Sequence, residues 1–157
     1  MQNDNLKSYL HLHVIVFIWG FTAILGKLIS LEALDLVWYR MLFASVIMTF
    51  VVLFNKEKIK VPFNVLIGFI VSGIIIAAHW LTFYQAIKVS NVSITLACLS
   101  TGAFFASILE PIFYKRRVIW YELLFGLIVV VGLGIIFNVE TKYTTGIYLA
   151  VTSAFLS

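Results

Sequence analysis

Long apolar runs separated by short polar turns set out this chain. The runs are Leu10–Ile29, Leu36–Phe54, Phe63–Ile87, Val92–Tyr114 and Ile119–Phe137. Each is close to the roughly 20 apolar residues that carry a helix across the hydrocarbon core of a bilayer, about 30 Å thick. The pattern predicts an all-α membrane protein, a bundle of five transmembrane helices. The turns between them are polar: Ser30–Asp35 with Glu32 and Asp35, the charged Asn55–Val61, Lys88–Asn91, and the basic cluster Lys115-Arg116-Arg117. Pro62 suits the first turn of the third helix, where its missing amide proton costs nothing.

The two ends read differently. Residues 1–9 are polar and predict an interfacial or frayed tail. The first run exceeds the apolar core of about 7–15 residues found in cleaved signal peptides, so it reads as an uncleaved anchor. After the fifth run, Asn138–Thr145 predicts a polar loop, and Gly146–Ser157 is apolar and uncharged. Twelve residues rise only about 18 Å as a helix, so this piece reads as the start of a sixth helix that is cut short. The competing reading is a short re-entrant or interfacial helix. The division is a tail over 1–9, a five-span unit over 10–137, and an external loop with a partial helix over 138–157.

Composition supports the membrane reading. Hydrophobic residues make up 62% of the chain and charged residues 11%, against about half and a quarter in soluble domains. The net charge of +4 does not point to nucleic acid, because the basic residues cluster between the apolar runs. Lys7, Lys56, Lys58, Lys60, Lys115, Arg116 and Arg117 fall on one side of the membrane, and Lys27, Lys88 and Lys142 on the other. The positive-inside rule then makes the first side, with the N-terminus, cytoplasmic. An odd number of spans means that a second such unit fused behind this one enters the membrane inverted. In many transporters that arrangement places the substrate site at the midplane between halves. An antiparallel homo-oligomer could imitate it, but the strong charge bias favours a missing C-terminal half as the partner.

Polar groups inside the spans are the candidate chemistry. Arg40 lies about six residues into the second span, roughly 9 Å along the helix. A charge at that depth is expensive and faces a polar interior or a partner. It either pairs inside the bundle, where it could attract an anionic or zwitterionic substrate, or snorkels outward to Glu32 or Asp35. His79 sits nearer the midplane of the third span, in a stripe with Ser72, Thr82 and Ala86. It is either a histidine hydrogen-bonded across helices or a substrate or proton-relay group. Ser100, Ala103, Ser107 and Glu110 share one face of the fourth span by their spacing of three and four. Ser100 and Ser107 are candidate path residues. Glu110 is either a gate carboxylate or an interfacial partner of Lys115 or Arg117. Pro111 should kink or break the helix near its cytoplasmic end. Trp19, at mid-depth beside Gly20, should pack inside the bundle or stack on a substrate, and Gly20 should admit a close helix. Trp80 and Tyr84 face lipid or the next helix.

Other features carry less. The single cysteine, Cys98, excludes an internal disulfide and a cysteine-based metal site, and its setting among Ala, Leu and Ser predicts a packing role. His11 and His13 lie at the cytoplasmic interface. Asn91-Val92-Ser93 matches a glycosylation acceptor but lies too near the membrane to serve. There is no GxxxxGK[ST], GxSxG or HExxH motif and no acidic pair in the spans. Direct coupling to ATP, catalysis, a metal and a cofactor are therefore not expected.

The run FYQAIKVSNVSITLACLS, then FFASILEPIF, then the basic turn and the Gly-spaced GLIVVVGLGIIF, resembles an EamA-type domain of the drug/metabolite transporter superfamily. Trp19-Gly20 and Arg40 are similar too, and the resemblance extends over about residues 8 to 157. It implies ten helices in two five-helix halves that move small metabolites or drugs, of which this chain covers the first. The expected function is that of a secondary transporter of a small organic solute, working by alternating access in a cell membrane of bacterial inner-membrane type. The alternative is a scaffold or accessory subunit that binds a membrane partner without transport.

Overall fold

The computed structural model describes residues 2–56, 60–139 and 141–157, with side chains from residue 6 onward except at 136–139 and 141. All the regular structure described is helical: α1 (Gln2–Leu28), α2 (Ala33–Phe54), α3 (Phe63–Val89), α4 (Val92–Leu99), α5 (Gly102–Tyr114), α6 (Trp120–Val139), a 3₁₀ turn (Thr141–Tyr143) and α7 (Thr144–Leu156). Four stretches are long and apolar enough to cross a membrane: Leu6–Leu28, Ala33–Phe54, Phe63–Val89 and Val92–Tyr114. The 20-residue α6 is about 30 Å long, and α7 about 20 Å. The expected all-α membrane bundle is what forms.

Local sequence explains the boundaries. No Gly or Pro interrupts residues 2–9, so α1 runs back through the expected tail to Gln2. Pro62 stands just before α3, and its carbonyl accepts the Val65 and Leu66 amides, each at 3.0 Å. The turn after α3 is tighter than its polar letters suggested, because the helix continues to Val89. Asn91 then caps α4, its Oδ1 accepting the Ile94 amide at 2.9 Å. Lys115 takes the left-handed conformation, φ 51° and ψ 32°, and ends α5. The expected loop over Asn138–Thr145 is shorter: α6 reaches Val139, Thr141–Tyr143 is a 3₁₀ turn, and α7 starts at Thr144. Lys58 of the charge count, and Glu140 of that loop, lie outside the described residues.

The fourth apolar run contains an interruption. It falls at Ser100–Thr101, ten residues before Pro111, which stays inside α5. Two hydroxyls account for it. Ser100 Oγ donates to the Ala97 carbonyl at 2.6 Å and Thr101 Oγ1 to the Cys98 carbonyl at 2.7 Å. Side chains that bond back onto the preceding turn compete with the helix ladder and bend it. The Thr101 amide accordingly reaches back three residues, to the Cys98 carbonyl, at 3.1 Å.

α3 is the hub, touching α1, α2, α4 and α7. One apolar cluster joins Ala23, Ala33, Leu36 and Val37 to Phe83, Tyr84 and Ile87. A second joins Ala86, Ile94 and Cys98 to Ile147 and Ala150 of α7. Small residues dominate the second, as they do where membrane helices approach closely. Gly146 is a point of close approach in this second cluster: a Cβ there would lie 2.5 Å from the Ser90 Cβ. The N-terminal parts of α1 and α3 and the C-terminal half of α2 expose their apolar side chains, Val14–Trp19, Val46–Phe54 and Phe63–Ile76 among them. The three helices therefore meet only near the α1–α2 turn and the end of α3.

Candidate functional site

The second half of α3 gathers polar groups from three helices. His79, Trp80, Phe83 and Tyr84 form a wall of rings on successive turns, with Trp80 stacked on Tyr84 at 5.7 Å between centroids. Two neighbours allow this. Gly26 of α1 has no side chain, and the Tyr84 ring lies where its Cβ would stand, 2.5 Å away. Ala23, Leu36 and Val37 cover the remaining ring surface.

Arg40 closes on this wall. Its Nη1 donates to the Tyr84 hydroxyl at 2.6 Å, and its guanidinium carbon stands 3.6 Å from the Trp80 ring centre. The partner is thus an aromatic pair on α3, and neither Glu32 nor Asp35 reaches Arg40. Stacking on an indole face offsets part of the cost of a desolvated cation. Of the two settings open to Trp80 and Tyr84, lipid or a neighbouring helix, the structure has the second: Tyr84 is only 3% exposed. The four-residue spacing of these two rings was the available signal, since it puts both on the α3 face that Arg40 can reach.

His79 is tied to α7. Its Nδ1 lies 2.8 Å from the Ser153 carbonyl and 3.0 Å from Ser153 Oγ, and that hydroxyl donates to the His79 carbonyl at 3.1 Å. A carbonyl can only accept, so Nδ1 carries the proton. Nε2 has no partner among the described residues. Ser153 is a partner that the polar stripes did not point to, although Gly146, Ala150, Ser153 and Ala154 recur at helical spacing as a small-residue seam. Replacing His79 by Ala should destabilise the bundle by about 0.5–1.5 kcal/mol, the range for hydrogen bonds across membrane helices. Thermal unfolding in lipid nanodiscs measures it, and His79→Gln should recover part of the loss.

The remaining candidates are not brought together. Trp19 is 72% exposed and no Cβ contact exists at Gly20, so neither packs inside this unit. The reason is that α1 joins the bundle through Ala23 and Gly26, near its C-terminal end. Ser100 and Ala103 are exposed, while Ser107 and Pro111 are buried. The α4–α5 interruption rotates the stripe, so these positions do not share one surface. Ser107 Oγ is satisfied by the Phe104 carbonyl at 2.7 Å. Cys98 is fully buried, in keeping with packing. Where the ends of α1 and α3 meet, Lys27 donates to the Ile87 carbonyl at 3.1 Å, and Lys88 to the Ile29 carbonyl. Each lysine satisfies an orphan carbonyl at the other helix's C-terminal end, where a cation is favoured.

Glu110 pairs with Arg116, at 2.8 Å, and not with Lys115 or Arg117. The left-handed Lys115 turns the chain so that Arg116 also meets Glu122 at the start of α6, at 3.1 Å. The hydrogen bond to Glu122, and then that to Glu110, hold the guanidinium above its ordinary pKa range. A raised pKa means that the guanidinium stays charged until strong alkali, so the pairing lasts through the pH range in which Glu110 and Glu122 are ionised. Salt is the practical lever: the screening length falls from about 10 Å at 0.1 M to about 3 Å at 1 M. Arg116→Gln, or 1 M salt, should speed tryptic cleavage at Lys115 and Arg117. The melting temperature should hardly move, because exposed ion pairs contribute little.

A helical bundle with a cation and a hydrogen-bonded histidine set within apolar spans defines a polytopic membrane protein. A family model described as the EamA-like transporter family matches residues 6–138, and the chain belongs to that family. No curated protein and no solved structure matches it. Helix α7, which packs along α3 and α4, lies beyond the matched residues.

Proposed function

We propose that the chain is the N-terminal five-span half of a secondary transporter for a small organic solute, paired in a bacterial-type cell membrane with an inverted second half. The observation that carries the reading is that one segment of α3 holds Arg40 through Tyr84 and ties its own His79 to Ser153. Polar groups at membrane depth are costly and serve pathways more often than packing. The family membership gives the same direction. Alternating access arises when two inverted units rock about a shared site. Trp19 and Gly20, open on this unit, then belong to the surface where the second half or a second copy sits. Arg40 and His79 line the path. Ser100, the exposed member of the α4–α5 stripe, lies on its wall lower down, and the Glu110–Arg116–Glu122 cluster with Pro111 forms its cytoplasmic gate. No catalytic step is assigned. The test is solute flux in vesicles holding the chain with its partner half, with and without a pH gradient. Flux that responds to the gradient and falls severalfold in His79→Ala supports proton-coupled transport. A stable partner complex with no flux of any solute replaces this reading with that of a scaffold.

A further inference from the structure

We propose that the cleft between α1 and α2 binds a small organic acid, its carboxylate held by Arg40 and Tyr84 and its apolar body lying between the two helices. This supplies a substrate class for the transporter reading and rests on that reading for any movement of the acid once bound. The cleft has a volume of about 360 Å³, at the small end of ligand pockets, which run from about 300 to 1,000 Å³. Thr22 and Leu25 of α1 and Leu36 and Phe43 of α2 line it, with Arg40 and Tyr84. Arg40 is its one charged lining residue, and no carboxylate among the described residues lies within ion-pair distance of it.

Two donors stand there without an acceptor. Arg40 spends one N–H on Tyr84, and its other N–H groups have no protein partner among the described residues. The Tyr84 oxygen accepts that bond, so its own proton is free, on a side chain that is 97% buried by its 3% exposure. A guanidinium and a phenol side by side offer what a carboxylate needs, two donors with positive charge and no competing acceptor. The stack on Trp80 fixes the guanidinium beforehand, so little freedom is lost on binding. The other lining residues are apolar apart from Thr22, Tyr39 and Tyr84, which matches an acid with a hydrocarbon or aromatic body. A two-chain phospholipid fits less well. Arg40 is seven residues past Ala33, about 10 Å below the outer end of α2, and its reach is toward α3.

The test is equilibrium dialysis of radiolabelled octanoate against the chain in phosphatidylcholine nanodiscs, with empty discs subtracted. Expected is saturable binding near one per chain, absent for octanol and much weaker for acetate. Arg40→Gln should weaken it by about tenfold or more, the scale of one charge-assisted hydrogen-bonded contact. Tyr84→Phe keeps the ring and its packing, and should weaken binding severalfold even if Arg40→Gln fails to fold. Binding no greater than in empty discs, or unchanged in Tyr84→Phe, overturns the site. So does loss of octanoate binding when the discs are made of phosphatidylglycerol, since the cleft then belongs to lipid. Octanoate binding together with no flux of any solute, measured with the partner half, leaves the site standing and removes the transporter reading. Flux without binding does the reverse.

Discussion

Ending the chain at Tyr143 should open Cys98 to a thiol reagent. In the full chain Cys98 has no exposed surface and packs with Ala86 and Ile94 against Ile147 and Ala150 of α7. Water does not supply the drive for this seam within a bilayer, where lipid tails are as apolar as the side chains they replace. Close packing and hydrogen bonds do. Removing α7 strips away Ala150 and Ser153, both fully buried, and with them the partner of His79. It also uncovers Gly146's neighbour Ser90. N-ethylmaleimide should label the full chain slowly and the shortened chain at least about tenfold faster, equivalent to roughly 1.4 kcal/mol of lost protection. Ala150→Leu tests the same seam without deletion, by overpacking it, and should raise the rate by a smaller factor. Equal labelling of all three forms would show that α7 does not cover Cys98.

The solvent decides how much of this is legible in the sequence and where legibility stops. Apolar runs cut by charges, Pro62 before a helix and the basic turn after Tyr114 are local signals, and each marks a helix boundary that forms. Facing is not local. Lipid and protein interior are both apolar, so hydropathy cannot tell that Trp19 is exposed and Tyr84 buried. The deciding feature is the glycine opposite Tyr84, and that pairing joins positions 26 and 84. For Arg40 the sequence left two settings open, a partner inside the bundle or Glu32 and Asp35 nearby, because a long side chain reaches a neighbouring helix as easily as its own. The break at Ser100–Thr101 was hidden because hydropathy runs through it, although two adjacent hydroxyls are a legible cause. Glu110 found Arg116 and not its neighbours because a single left-handed residue redirects the chain. The small residues of α7 at helical spacing are what signal its packing along α3 and α4.

Gly26→Ala should cost more than its single methyl group suggests. The added Cβ would lie 2.5 Å from Tyr84 Cε1 and 2.7 Å from Cδ1, well inside contact distance. The ring cannot swing aside freely, since Trp80 stacks on it and Arg40 bonds its hydroxyl. Either α1 moves away from α3, stretching the Lys27 and Lys88 contacts to Ile87 and Ile29, or the ring leaves Arg40. Overpacking of this kind costs about 1–3 kcal/mol. Tyr84→Ala alone should be of similar or greater cost, because it leaves a cavity and strands the Arg40 donor. In the double variant the clash is gone, so the two costs should not add. A shortfall of about 1 kcal/mol or more from the sum, measured by unfolding in nanodiscs, is the expected coupling. Strict additivity would mean that Gly26 and Tyr84 do not share the contact. Because the displaced ring is the one that donates to the bound acid, Gly26→Ala should also weaken octanoate binding in step with its loss of stability. The junction of α1 with α3 and the cleft beside it would then respond as one unit.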